Sequence, residues 1–502
     1  MSNQDKRVLL VYPQHPDTFW SYKYALKFIS KKASSPPLGL LTVAAMLPKS
    51  WEKRLVDTQV TGLCDEDIEW ADYVFISAMS IQQKYARQVI QRCREKGVKT
   101  VAGGPLFTSN PDDFPEVDHL ILNEAEITLP LFLNDLEKGC AKHVYSTGCW
   151  ADMNLTPIPE WDLINVKKYA SMNIQYSRGC PFNCEFCNIT VLYGKKPRTK
   201  SAGQMLQELD YLYATGWRGS VFFVDDNLIG NKARLKKDLL PALVDWMRKK
   251  DYPFEFATEV SINLADDDEL MRLMVEAGFD TVFIGIETPD ENSLDECNKS
   301  QNKNRDLLAC VKAVQRSGLQ VQAGFIVGFD NDSPSIFDRL TRFIQESGIV
   351  TAMVGLLNAP RGTKLHARLQ KEGRLLHEIT GDHMDLSMNF IPKMNRDTLI
   401  SGYQAILRTI YSPHCYYERV KRFLTEYSQG QTRRIHFQAH YLAAFFRSVL
   451  FLGIIGKERT DYWKLLFWSL FKHPRLIPLA IGLAICGFHF RKVSCESIRY
   501  HK

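Results

Sequence analysis

The stretch YSRGCPFNCEFCNIT, residues 176–190, sets Cys180, Cys184 and Cys187 in one short loop, with three and then two residues between them. Three thiolates at this spacing can each ligate one iron of a cubane cluster and leave the fourth iron open. A structural zinc site would want a fourth Cys or His at ligand spacing, and neither His143 nor His414 is positioned as one. A chance grouping of buried cysteines is the remaining reading. The place of the trio in the chain favours the cluster, because the loop opens directly after an extended segment, MNIQYS (172–177). A tight loop there lets three side chains converge.

That segment is the first of six. SVFFVDD (220–226), FEFATE (254–259), TVFIGIE (281–287), VQAGFIVGF (321–329) and TAMVGLLN (351–358) follow it, separated by amphipathic helical stretches near 201–215, 235–250, 266–277, 304–317 and 334–347. The alternation predicts a (β/α)6 partial TIM barrel, and no further strand is there to close an eight-stranded one. Such barrels place their chemistry on the loops at the carboxyl ends of the strands, which is where the cysteines lie. Upstream, RVLLVY (7–12), YVFIS (73–77), VKTVA (98–102) and DHLIL (118–122), with RLVD (54–57) as a weaker member, alternate with helical patterns at 81–97 and 125–139. That pattern predicts a Rossmann-like parallel sheet, whose ligands bind beyond the strand carboxyl ends. Those ends carry ISAMS, AGGP and NEAE, small residues that let a large ligand approach the backbone. The chain is therefore read as α/β, with a sheet domain over 1–147, a linker rich in Pro, Asn and Trp over 148–168, a barrel over 169–365 and a mostly helical domain over 366–502.

Length alone excludes one compact core and asks for several domains. Twelve cysteines, nine of them scattered singly, do not suggest a disulfide framework. MSNQDKRVLLVYP holds no apolar run suited to a signal peptide, which places the chain in the cytoplasm. Charge is uneven. From Cys415 onward there are 15 Lys+Arg against 5 Asp+Glu, while the rest is near neutral. A basic module of this kind suggests a partner of its own, and no nucleic-acid motif accompanies it.

At the cysteines the chain resembles the radical S-adenosylmethionine superfamily, whose signature CxxxCxΦC has an aromatic at Φ; Phe186 takes that place. The resemblance implies a 4Fe–4S cluster on Cys180, Cys184 and Cys187, with S-adenosylmethionine chelating the open iron. Its reductive cleavage yields a 5′-deoxyadenosyl radical that abstracts hydrogen from an unactivated C–H. It further implies that Asp225, Asp226 and Asn227 meet the methionyl amino group, that Glu259 and Glu287 reach the ribose, and that Gly324, Ile326 and Gly328 of GFIVGF contact adenine. The sheet followed by this barrel is similar to the cobalamin-binding subclass over most of residues 5–365. By that likeness Ser77, Ala78, Met79, Ser80, Gly103, Gly104 and Glu124 line the cobalamin. DTQVTG (57–62) imitates the DxHxxG motif of many cobalamin domains, with Gln59 for His, but it follows the second strand rather than the first. His15 is nearer the expected place for a lower cobalt ligand, yet its local pattern does not match. A cobalt without a protein ligand below would fit the radical methylases.

The last part of the chain carries its most apolar stretches, YLAAFFRSVLFLGIIG (441–456) and LIPLAIGLAICGFHF (476–490). The first contains Arg447 and the second falls short of the roughly 20 residues a crossing helix needs. Between them Trp463 and Trp468 stand among Lys and Arg, which suits either a helical cap on the barrel or a helix lying at an anionic membrane surface. With PRGTKL (360–365), similar to a PxPGTxL segment but with Arg361 for Pro, this extension resembles that of the hopanoid methylases. The resemblance implies a cobalamin-dependent methyltransferase acting on an unactivated carbon of a hydrophobic, lipid-like substrate, served by an electron donor such as flavodoxin or ferredoxin. Two alternatives stay open: ring formation, oxidation or carbon–carbon coupling without methyl transfer, and a non-catalytic cobalamin or redox sensor.

Overall fold

The structure is a computed structural model that describes residues 5–376, 381–382, 386–428 and 439–500. Parts of the sequence-predicted end domains, residues 1–4, 377–380, 383–385, 429–438 and 501–502, lie outside the described residues.

The N-terminal sheet is parallel throughout, in the order β2-β1-β3-β4-β5-β6. Its strands are β1 (Arg7–Tyr12), β2 (Glu52–Asp57), β3 (Tyr73–Ser77), β4 (Lys99–Gly103), β5 (His119–Ile121) and β6 (Val144–Tyr145). In β1 Val8, Leu9, Leu10 and Val11 are all buried, as a strand covered by helices on both faces requires. The weak fifth segment, RLVD, is the edge strand β2, and β6 was not anticipated: two residues are too few to leave a pattern. The chain order reverses between β1 and β3, so the crevice for a ligand opens at their carboxyl ends.

The second sheet consists of β7 (Met172–Ile174), β10 (Gly219–Phe223), β11 (Phe254–Val260), β12 (Phe279–Glu287), β13 (Gln320–Val327) and β14 (Ala352–Leu356), again parallel, in the order β14-β13-β12-β11-β10-β7. In β11 Phe254, Phe256, Thr258 and Val260 are buried under the outer helices, while Glu255, Ala257 and Glu259 alternate onto the other face, the barrel interior. This is the predicted partial barrel, with one correction at its first strand. The extended run 172–177 is not one strand. After Ile174 the chain leaves the sheet, because the N–H groups of Tyr176 and Ser177 donate to the Asp225 carboxylate instead of a neighbouring strand. Ser177–Arg178 (β8) then pairs antiparallel with Arg198–Thr199 (β9).

An open barrel leaves an edge at β7 and another at β14. The C-terminal helices cover the second: Tyr403 Oη donates to the Val354 carbonyl at 3.2 Å and Tyr411 Oη to that of Ala352 at 2.7 Å. The loop after β1 covers the first, with Asn173 Nδ2 donating to the Pro36 carbonyl. The two covers meet at Phe19, which stacks on Phe490 at 4.2 Å and whose carbonyl lies 3.0 Å from His489 Nε2. Phe490 and His489 belong to the helix Ile477–Tyr500. The apolar run judged too short at 476–490 thus continues helically through RKVSCESIRY. The stretch Pro474–Ile498 has the length and composition of a crossing helix, but half of it is buried inside the protein.

Candidate functional site

The cysteine loop needs Gly179. Its φ is +92°, and a Cβ there would lie within about 3 Å of the carbonyls of Tyr193, Gly194 and Lys196. Only glycine lets the chain turn this closely into Cys180. The Cys180 N–H donates to the Gly194 carbonyl, and Cys187 N–H to that of Cys184. The three thiols stand near one another, since Cys184 makes both Cys180 and Cys187 harder to ionise and Cys180 adds to the effect on Cys187. Burial is the larger cause; it pushes Cys187 up to about 12 and raises Cys180. Thiols so placed stay protonated until a cation holds them as thiolates.

Donors are in place for such thiolates. Asn227 Nδ2 stands 3.9 Å from Cys180 Sγ, and Gln301 Nε2 stands 3.7 Å from Cys184 Sγ. Backbone N–H groups of Phe182 and Ile189 reach Cys180 and Cys187. Among the described residues no three Cys, His, Asp or Glu side chains gather closely enough to hold a single metal ion. A cubane asks for a wider cage, because each thiolate binds a different iron. The loop's geometry and donor set fit a cluster better than one zinc ion.

Beyond the cysteines, the carboxyl ends of the barrel strands carry acids in two conditions. Glu287 ends β12 on a bulge with φ +62° and meets Lys299 Nζ at 2.6 Å. Asn302 Nδ2 holds that bulge by donating to the carbonyls of Gly285 and Ile286. Burial opposes the charge of Lys299, but Glu287 and then Cys184 keep it above its usual value, and the Phe186 ring lies 6.0 Å away. Asp225, Asp226 and Glu259 are different. Burial pushes them up to about 7, 6 and 8; repulsion by Asp226 adds to it for Asp225, and repulsion by both aspartates adds most for Glu259, while Arg178 tempers Asp226. Asp225 is spent on the Tyr176 and Ser177 N–H groups and Asp226 accepts from Gly179 N–H at 3.3 Å. Among the described residues no ion pair reaches Asp226 or Glu259. These buried acids beside the cluster loop, burial favouring their protonated form, fit a cationic ligand such as the ammonium and sulfonium of S-adenosylmethionine, which would draw them into the charged form.

The fifth barrel strand offers backbone. A Cβ on Gly324 would meet Phe283 Cζ at 3.0 Å, so glycine there lets that ring lie close against the strand. Ile326 is half-buried; Gly328 has φ +106° and donates its N–H to Asp332.

In the N-terminal sheet, Ser77, Ala78, Met79 and Ser80 follow β3, and Gly103 and Gly104 end β4. A Cβ on Gly104, at φ +91°, would strike Ser77 Oγ at 2.7 Å, and one on Gly103 the Ile121 carbonyl at 2.7 Å. At this end of the crevice the two glycines let neighbouring strand and loop approach closely, as the approach of a ligand to the backbone would also require. Gln82, wholly buried, ties its walls: it accepts from Met79 N–H and donates to the Pro13 carbonyl. Glu124, at the end of β5, has its carboxylate engaged by Arg178, Arg198 and the Ala151 N–H. Asp57 of DTQVTG accepts from Gln59 N–H and Tyr169 Oη, a structural use. His15 Nδ1 lies 3.0 Å from the Pro16 carbonyl.

Several partners were not visible in the sequence. Arg178, beside Gly179, pairs with Glu124 and Glu126 of the other sheet at 3.0 and 2.8 Å. Glu185, between the second and third cysteines, pairs with Arg368 at 2.8 Å and accepts Leu365 N–H through its carbonyl. The PRGTKL segment had marked that region, but not its contact with the loop.

Comparison with known proteins agrees with this geometry. Family profiles match the B12 binding domain over residues 29–133, the Radical SAM superfamily over 174–344 and a Domain of unknown function (DUF4070) over 363–502. An uncharacterized methyltransferase of Synechocystis sp. is 46% identical over 96% of this chain and 91% of its own. The hopanoid C-2 methylase of Rhodopseudomonas palustris is 33% identical over 91% of this chain and 88% of its own. The solved structure of the cobalamin-dependent S-adenosylmethionine radical enzyme OxsB superposes with a TM-score of 0.61, at 16% identity, over 99% of this chain and 80% of that one. The last likeness is one of fold.

Proposed function

From the premise that this chain belongs to the cobalamin-dependent radical S-adenosylmethionine methyltransferases, we propose that it methylates an unactivated carbon of a hydrophobic, lipid-class substrate. The observation that carries the substrate class is the likeness to hopanoid C-2 methylase, which runs through nearly the whole chain, C-terminal helices included. Its cofactors are a 4Fe–4S cluster, S-adenosylmethionine and cobalamin, which supply the radical and the transferable methyl.

The protein's own part is binding, orientation and exclusion of water. In this reading Cys180, Cys184 and Cys187 hold the cluster, with Phe186 packed beside it. Asp226, Asn227 and Glu259 take the cationic end of S-adenosylmethionine, and buried Asp225 fixes the backbone that carries the cysteines. Glu287 faces the ribose with Lys299 as its counter-charge. Gly324, Ile326 and Gly328 present backbone to the adenine. Ser77, Ala78, Met79, Ser80, Gly103 and Gly104 form the cobalamin crevice, and Glu124 serves its edge by holding Arg178 and Arg198. A small cytoplasmic electron carrier of the flavodoxin or ferredoxin kind supplies the electron.

Lipid extracts from cells with and without the gene test the substrate class. A species heavier by one methylene, present only with the gene and lost in Cys184→Ala, is the expected result. Anaerobic turnover should then yield 5′-deoxyadenosine and S-adenosylhomocysteine together. Deoxyadenosine without S-adenosylhomocysteine in the presence of that lipid would refute methyl transfer.

A further inference from the structure

The two apolar stretches of the C-terminal region are used in opposite ways. The helix Ile477–Tyr500 is tied inward: Tyr416 Oη donates to the Leu483 carbonyl at 2.6 Å, a Cβ on Gly487 would fall 2.2 Å from the Tyr416 ring, and Phe490 and His489 are wholly buried. The hairpin before it is turned outward. Along Ala439–Ser448 and Val449–Ile454, the side chains of Leu442, Phe446, Leu450 and Ile454 recur every fourth residue and are all exposed, Phe446 at 61% and Ile454 at 57%. On the next helix, Arg459–Lys472, Phe467, Leu470 and Phe471 share one face, and Phe471 is 80% exposed. Trp463 joins the two faces, since its indole N–H donates to the Gly453 carbonyl at 2.9 Å and its ring stacks on Phe467 at 5.7 Å. Large apolar side chains exposed in this number on two neighbouring helices are uncommon on a protein that meets only water.

Charge identifies what covers it. From 441 to 492 every exposed charged side chain is a cation: Lys457, Arg459, Lys464, Lys472, Arg475 and Lys492. Glu458 is buried against Arg491, and Asp461 is only partly exposed. An apolar face bordered by cations matches an anionic bilayer surface, where the aromatics enter the headgroup region and the cations meet lipid phosphates. A soluble acidic partner would be read by the cations but would leave the phenylalanines without a use.

We propose that the hairpin 441–472 is a membrane-docking face, which seats the enzyme on anionic lipid without spanning it. The proposal is independent of the substrate, since it rests on the hairpin alone.

The test is flotation of the full chain, loaded with its cofactors, on vesicles of phosphatidylcholine with or without about 30% phosphatidylglycerol. We expect flotation with the anionic vesicles and a several-fold loss in high salt. Phe467→Ser/Leu470→Ser/Phe471→Ser should reduce the bound fraction about tenfold or more. Lys464→Glu/Lys472→Glu, which leaves every apolar side chain in place, should reduce it several-fold on anionic vesicles only. Circular dichroism and cobalamin loading establish that each variant is folded; if the triple variant is not, quenching of Trp463 and Trp468 by brominated lipid in the wild type decides instead. No flotation and no quenching would overturn the proposal. So would a wild-type dimer that the triple variant dissolves, because the face would then join two copies of the chain.

Discussion

Two groups of buried carboxylates flank the cysteine loop, and the protein neutralises only one of them. Glu124, just beyond β5, and Glu126, in the first turn of the helix Ala125–Glu137, are answered by Arg178 and Arg198, all four side chains being at most 16% exposed. Burial alone would raise Glu126, but Arg178 outweighs it and brings the carboxyl to about 2. Asp226 and Glu259, at the ends of the second and third barrel strands, are in no ion pair among the described residues, and burial pushes them up to about 6 and 8 although Arg178 tempers the first and Lys299 the second. Lys299 is near but is bound to Glu287. The difference separates two uses of a buried charge. A compensated group fixes one sheet against the loop of the other; an uncompensated one stores unfavourable energy that a cationic ligand relieves. The contrast predicts opposite responses to removing each charge.

The largest effect is expected on the compensated side. Glu126→Ala leaves the Arg178 guanidinium short of a partner in a buried site and should lower stability by about 3–5 kcal/mol, measured as a drop in the denaturation midpoint of the cofactor-free protein. Glu259→Gln should do the reverse, leaving the cofactor-free protein as stable or more so. Its cost should fall on ligand binding: a ten- to hundredfold weaker Kd for S-adenosylmethionine in the cluster-loaded protein, about 1.4–2.8 kcal/mol, by titration calorimetry. If both variants destabilise alike, the distinction between clamp and site fails.

A smaller effect should follow pH, with opposite sign for the two groups. Glu259 is raised from 4.5 to about 8, so between those values the folded protein keeps a proton that the unfolded chain has released. Its contribution to stability therefore declines as pH rises through that window. Glu126 is lowered from 4.5 to about 2, so its contribution is present above 4.5 and lost as pH falls toward 2. A cationic ligand that ionises Glu259 should release protons on binding near pH 7. Calorimetry in buffers of differing ionisation enthalpy should detect that release, and Glu259→Gln should diminish it.

What could be read from the sequence follows the same division. The cysteine trio, the six barrel strands and the acids ending them are local features: a spacing, a period, a residue at the end of an apolar run. The fold class was legible for that reason. The partners that decide each acid's condition were not. Arg178 and Glu126 lie 52 residues apart, and Glu185 and Arg368 lie 183 apart. Arg178, Gln301 and Lys299 look like ordinary solvated side chains until the fold brings them to the loop. The break of β7 after Ile174 was hidden likewise, because Asp225, which accepts the freed N–H groups, reads as a strand-end acid. Glu124 shows the limit most clearly. The sequence places it correctly beyond β5, yet only the structure reveals that two arginines engage its carboxylate.

The least costly change should come from a pair of intermediate kind. Arg368 holds Glu185 at 2.8 Å and Asp330 at 2.9 Å, but it remains 30% exposed, so water shares its charge. Arg368→Met should therefore cost only about 0.5–1 kcal/mol of global stability, well below Glu126→Ala. Its local effect should be easier to see, because Glu185 sits between Cys184 and Phe186 and is pinned on three sides: by Arg368, by Leu365 N–H and by the Cys297 carbonyl. Releasing one of these should speed loss of the cluster to a chelator, followed by the decay of its visible absorbance, while the denaturation midpoint barely moves. An unchanged rate would mean that the backbone bonds alone hold the loop, and that charge compensation shapes the site only from the side of β5.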